Sequence, residues 1–178
     1  MNLMDLLKDA GGDAGIGAIS RQIGLSTGDA GKLLEALSPA LTLGLQKQAA
    51  SNDGLSNFKK ALEKGGHQRY LQDPELLAQE ETRLDGNKIL GHLFGSKEVS
   101  RNVAAHAAEE TGIDSSLIKK LLPMLAPLVM GAISKSSDSG KALSDASEGG
   151  LGSLAEVFLS KGDKSGIGDI ISLARKFF

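Results

Sequence analysis

Apolar residues recur along this chain at the i, i+3, i+4, i+7 spacing of one helix face, and no stretch alternates convincingly enough to predict a strand. Leu3, Leu6, Leu7 and Ala10 predict a short first helix, stopped by Gly11 and Gly12. Ile16, Ile19 and Ile23 predict a second, stopped by Gly24. Ser26 is placed to cap a third, which runs through Leu33, Leu34, Leu37, Leu41 and Leu45 to about Ala50 with Pro39 inside it. Leu55, Phe58 and Leu62 predict a fourth, ended by Gly65 and Gly66. The stretch "YLQDPELLAQEETRLDG" predicts a shorter helix with Asp73 as cap and Pro74 at its first position. "DGNKILGHLFG" follows as a further apolar segment, then a helix capped by Ser96 and stopped by Gly112, with Val99, Val103 and Ala107 on one stripe.

The next segment, capped by Asp114, is of a different kind. From Leu121 to Ile133 it carries no charge, and it holds Pro123 and Pro127. A bilayer-spanning helix needs about 20 apolar residues, whereas a run nearer a dozen reads as a buried core helix. Lys119, Lys120 and Lys135 flank the run. A helix apolar on all sides is one surrounded by other helices. Each proline removes a backbone hydrogen bond, costing about 3 kcal/mol if nothing compensates, and leaves carbonyls near Lys119 and Pro123 without their usual donors. The expected outcome is a central helix that curves around its neighbours.

Residues 24–39 align with residues 112–127. Gly24 and Gly112, Lys32 and Lys120, Leu33 and Leu121, Leu34 and Leu122, Leu37 and Leu125, and Pro39 and Pro127 are identical pairs. Each segment reads as a Gly turn, a cap and a longer apolar helix carrying a proline. Two helical hairpins that cannot bury their apolar faces alone are expected to pack together. The predicted fold class is all-α, a multi-helix bundle with two pseudo-repeated helical hairpins, in which the 114–135 helix is central and lies near the 26–50 helix.

Composition sharpens this picture. Of 178 residues only 3% are aromatic, so the core must be aliphatic, which favours close helix packing. Without cysteine there is no disulfide, no thiolate metal site and no cysteine nucleophile. A net charge of −2 gives no general preference for nucleic acid or anionic lipid. The segment "MNLMDLLKDAGGD" has neither a basic start nor a long apolar run, so no cleaved signal peptide is expected, and the chain is placed in the cytoplasm. Two regions are expected: a helical domain over 1–135, then a Gly/Ser-rich connector with C-terminal amphipathic helices over 136–178, packed on the same bundle.

The paired segments 84–95 and 121–133 resemble the YidB-like family of bacterial proteins, the domain of unknown function numbered 937. Asp85, Gly86, Ile89, Leu90, His92, Phe94 and Gly95 match that family's first motif. Leu121, Leu122, Pro123, Leu125, Ala126, Pro127, Val129 and Gly131 match its second. The resemblance covers roughly residues 1–135. It implies an all-helical bundle in a bacterial protein and brings no activity or site residues with it.

Chemistry-bearing constellations are sparse. His106 with Glu109 and Glu110 is at most half a metal site, and no second His-x-x-Glu or His-x-x-x-His completes it. His92 sits in an apolar segment and reads as a hydrogen-bonded core or boundary group rather than a general base. His67 lies in a polar "GGHQRY" turn with no evident partner. "GDAGIG" (12–17) and "GDKSGIG" (162–168) look like helix-linking turns, since a dinucleotide cradle needs a preceding strand. The acids Glu75, Glu80, Glu81 and Asp85 read as a solvated surface. No catalytic, cofactor-binding or metal-ligating residue is assigned, and no cofactor is expected.

Residues 18–37 have the helix, turn, helix rhythm of a DNA reader, but Thr27, Gly28, Asp29 and Gly31 at the start of the second helix lack the side chains that read base edges. The tail stripe Ile167, Ile170, Ile171, Ala174, Phe177 and Phe178 predicts an amphipathic helix, with Asp169 at its start and Arg175 and Lys176 near its end. It is expected on its own bundle or, by exchange, on a second copy; two basic residues argue against a membrane surface. The expected function is a non-catalytic scaffold or interaction module for an unknown protein partner, with a homo-oligomer through the C-terminal helix as a further possibility. The alternatives are a DNA-binding regulator using residues 18–37 and an enzyme with a site near His92.

Overall fold

Five glycines that follow helices, Gly11, Gly24, Gly66, Gly95 and Gly112, adopt positive φ. The structure, a computed structural model, describes residues 3–49 and 52–139. Over these residues the order is α1 (Leu3–Asp9), α2 (Asp13–Ile23), α3 (Thr27–Ala49), α4 (Asn52–Lys64), α5 (Arg69–Gln72), a 3-10 turn (Pro74–Ala78), α6 (Glu80–Phe94), α7 (Lys97–Thr111) and α8 (Ser115–Ser139). No strand occurs among the described residues, so the all-α class stands.

The aligned segments follow similar local courses. Gly24 ends α2 at φ 74° and Gly112 ends α7 at φ 73°, a region where an L side chain is strained. Ser26 Oγ accepts from the Asp29 N–H at 3.0 Å, and Asp114 Oδ1 accepts from the Ser116 N–H at 2.7 Å, so each following helix starts with one orphan donor satisfied. The Ser116 hydroxyl and N–H, with some help from Lys119, hold the exposed Asp114 carboxyl below its usual range. Pro39, and Pro123 with Pro127, lie inside α3 and α8 without ending them.

α8 is the axis of the bundle. Every residue from Leu121 to Ile133 is buried. The helix packs most extensively on α6 and also touches α7, α2, α5, α1 and α4. By length and composition Ser115–Ser136 could cross a bilayer, yet 78% of its most apolar window is buried inside the chain's own bundle. Burying a side chain such as Leu122 or Leu128 stabilises by roughly 1.5–3 kcal/mol. The expected central position therefore holds, and the helix continues past Lys135 to Ser139. α3 lies beside α7, α4 and α6, and comes near α8 where Leu34 lines a small cavity with Leu121 and Leu125.

One segment differs from the sequence expectation. Residues 74–94 do not break at Asp85–Gly86. They break at Gln79, which is extended (φ −75°, ψ 147°), and "ETRLDGNKILGHLF" is one helix from there on. Thr82, itself buried, locks this junction by donating to the Leu76 carbonyl at 2.6 Å. Gly86 then sits mid-helix for a packing reason. A Cβ there would lie 2.5 Å from the Pro123 carbonyl carbon and closer still to its oxygen.

Pro127 has no N–H to give that oxygen, so the carbonyl is an orphan of the helix. The Gly86 Cα hydrogen points at it, forming a Cα–H···O contact worth about 0.5–1 kcal/mol. Gly131, one turn on, lets α8 approach the chain again: its Cβ would lie 2.5 Å from the His67 carbonyl oxygen. The tail from residue 140, including the stripe expected to form a helix from about 167, lies outside the described residues.

Gly86→Ala should cost about 3 kcal/mol or more, because backbone meets backbone and no flexible side chain can give way. Gly91→Ala in the same helix has open space at its Cβ and should be neutral or stabilising by up to about 1 kcal/mol. Urea unfolding of the two variants measures the contrast.

Candidate functional site

Where α6, α7 and α8 meet, an open groove of about 650 Å³ forms. Its apolar lining is Leu84 and Leu90 from α6 with Leu122 and Pro123 from α8. Its charged lining is Lys88 from α6, Lys97 and Arg101 from α7, and Lys119 from α8; Asn87 and Ser100 complete it. No carboxylate is among the lining residues. Lys88 is drawn to Asp85 at 3.5 Å, whereas Lys97, Arg101 and Lys119 make no ion pair among the described residues. Leu84 is 53% exposed, whereas Leu90 and Leu122 are buried beneath the groove.

Helix geometry explains the assembly. Leu84 and Lys88 are four apart on α6, as are Lys97 and Arg101 on α7, so each pair shares a face. Ser96 caps α7 through the Val99 N–H at 3.2 Å, which fixes the start of the helix bearing Lys97 and Arg101. The Gly86–Pro123 approach then brings the α6 face to the first turns of α8.

A second polar cluster lies next to this contact, and it supplies the partners that the sequence did not show for His67. His67 is 5% exposed. It donates to the Ala61 carbonyl, and because Nδ1 has no hydrogen-bond partner, Nε2 is the donor. Gly65 makes room for this, since a Cβ there would overlap the imidazole. The ring stacks on buried Tyr70 at 6.1 Å between centroids. Arg69 donates to the Tyr70 hydroxyl at 2.8 Å and stands 3.8 Å from the Asp85 carboxylate. Burial lowers the His67 pKa; the Asp85 charge and the Ala61 hydrogen bond oppose that, and Arg69 adds to it. His67 is therefore a neutral tie between α4 and the α4–α5 turn.

The other residues singled out from sequence are not brought into a convergent arrangement. His92 is exposed; it is its backbone carbonyl that accepts a hydrogen bond, from the Gln48 amide. Its side chain borders a small cavity of about 60 Å³ whose other polar lining is Gln48 and Asn57. His106 Nδ1 lies 3.9 Å from Glu109, and no group of three or more potential metal ligands is found among the described residues. At the start of α3, Asp29 bonds Ser26 and pairs with Lys32 at 3.6 Å, while Arg21 faces Glu75 at 3.7 Å. The four acids of the 75–85 stretch are likewise near cations, except that Glu81 has only the weak influence it exerts on Arg69.

Sequence reasoning passed over the groove. Its cations are ordinary surface residues one helix at a time, and only the i, i+4 pairs hinted at shared faces.

Two comparisons found nothing: no curated protein and no solved structure matches the chain. A model of the family described as "Bacterial protein of unknown function (DUF937)" matches residues 5–136.

His67 makes stability depend on pH in a defined direction. Its unfolded pKa is near 6.5 and its folded pKa is lower, so below about pH 6.5 the unfolded state binds the extra proton. The melting temperature should fall as the pH drops through and below about 6.5. His67→Gln, which keeps a donor for the Ala61 carbonyl, should flatten that decline in a thermal-melt series.

Proposed function

Because the chain belongs to the DUF937 family of bacterial proteins of unknown function, we propose that it is a non-catalytic scaffold, a cytoplasmic protein-interaction module whose docking face is the groove between α6, α7 and α8. One observation carries this reading. Lys97 and Arg101, which make no ion pair among the described residues, line a shared concavity on rigid helices with Lys88, Lys119 and the exposed Leu84.

An enzymatic reading would centre on His92, but the polar groups bordering its cavity are amides without a titratable partner for the imidazole. A DNA-reading role for residues 18–37 is disfavoured because Arg21 and Lys32 already face Glu75 and Asp29. The burial of α8 supports a chain that sits off the membrane. We read α2–α3 and α7–α8 as copies of one hairpin. The paired glycine stops, the paired caps and the packing of α3 on α7 and α2 on α8 support this. Docking of the C-terminal stripe on its own bundle or, by exchange, on a second copy belongs to the same proposal, and deleting residues 161–178 should lower the melting temperature in either case and the number of chains per particle only in the second.

A photo-crosslinking amino acid at Leu84, expressed in the native bacterium, tests the docking face. The expected result is a discrete adduct that is absent when the same group replaces Glu35, exposed on α3. Equal, diffuse labelling from both positions would count against an interaction module at this site.

A further inference from the structure

Residues 66–79, comprising α5 and the 3-10 turn, form a strap that lies against α2, α6 and α8. Gly65 and Gly66, the latter at φ 54°, stand at one end of it, and the extended Gln79 stands at the other. We propose that the strap is an acid-released element: protonation of His67 frees residues 66–79 from the bundle while the other helices stay folded. Release uncovers the seam between α2 and α8, where Leu77 sits beside Gly15 and Leu128.

The strap has little stability of its own. A four-residue helix and a 3-10 turn are far too short to hold in water unaided. Tertiary contacts keep it closed. Tyr70 and Leu77 are buried, and Gln68 donates to the Ser134 hydroxyl at 3.2 Å. The ion pairs Arg69–Asp85 and Arg21–Glu75 are solvent-exposed, at 3.8 and 3.7 Å, and such pairs add little.

His67 supplies the trigger. Its Nε2 hydrogen goes to the Ala61 carbonyl, and its Nδ1 is buried without a partner. A second proton must sit on that Nδ1, which makes a buried donor with no acceptor on a charge held out of water. Opening the strap hydrates the charge, so the proton favours the open form. The groups around the ring leave this sign unchanged. Burial is the largest influence and lowers the His67 pKa, and Arg69 adds to it. Asp85 of α6 and the Ala61 carbonyl of α4 oppose it, but the Asp85 carboxylate is shared with Arg69 and Lys88. Tyr70 stacks on the ring, Arg21 of α2 faces Glu75, and α8 is uncharged from Leu121 to Ile133. With the folded pKa below an open-state value near 6.5, closure is fully favoured above that pH. Below it, the open-to-closed ratio rises by up to about tenfold per pH unit until the folded pKa is reached.

Native-state hydrogen exchange of the full chain, in a denaturant series repeated from about pH 7.5 to 5, reads the opening. The probes are the amides of Tyr70, Leu71 and Asp73, each hydrogen-bonded within the strap. They should exchange through an opening that depends little on denaturant, because it exposes little surface. Its equilibrium constant should rise by up to about tenfold per pH unit below pH 6.5, in rates corrected for intrinsic exchange. Amides from Leu121 to Ile133 should still need the denaturant-sensitive global unfolding. His67→Gln, which keeps a donor for Ala61, should remove the pH dependence of the small opening. Asp85→Asn, which removes the charge favouring a protonated ring, should extend the rise to lower pH. The proposal is overturned if the strap amides exchange only with the core. It is equally overturned if their opening is independent of pH, or keeps its pH dependence in His67→Gln.

Discussion

The close approach of α6 to α8 at Gly86 organises this molecule. A helix apolar on every side must be covered on every side, and two prolines in its middle leave backbone acceptors that covering side chains cannot satisfy. Gly86 resolves both demands at one point. Its missing side chain allows backbone to meet backbone, and its Cα hydrogen faces the Pro123 carbonyl that Pro127 leaves without a donor. Gly131 allows a second close backbone approach, against the His67 carbonyl. The neighbours of these glycines are placed as a consequence. Asp85 comes within 3.8 Å of Arg69, and Leu84 and Lys88 come to the edge of the groove.

This contact gives physical content to the motifs through which the chain resembles its family. Gly86, Pro123, Pro127 and Gly131 serve the backbone approach, while Leu90, Phe94, Leu121, Leu122 and Leu125 fill the core around it. His92, the motif residue with the most chemical potential, is exposed and engaged through its carbonyl. The motif residues thus read mainly as architecture. The groove draws Leu90, Leu122 and Pro123 from them and takes its charge from Lys88, Lys97, Arg101 and Lys119.

Much of the fold was legible because the signals were local. Gly24 and Gly112 end their helices, Ser26, Ser96 and Asp114 start theirs, and the uncharged run from Leu121 lies at the centre. Asp85–Gly86 misled, because a glycine that permits close packing and one that ends a helix look alike until the opposing backbone is known. The partners of His67 were not legible from its polar turn, because Gly65 makes room for its ring and Gly131 of α8 comes up against its carbonyl. The groove was not legible, since its lining comes from three helices and each member is an ordinary residue in its own helix.

The central claim is that the α6–α8 contact is the last part of the structure to open. Native-state hydrogen exchange across a denaturant series measures this directly. The expected result is that amides from Leu121 to Ile133 and from Gly86 to Leu90 exchange only with the free energy of global unfolding. Exchange of the α8 amides through a cheaper, partial opening, while α3 and α7 stay protected, would contradict it.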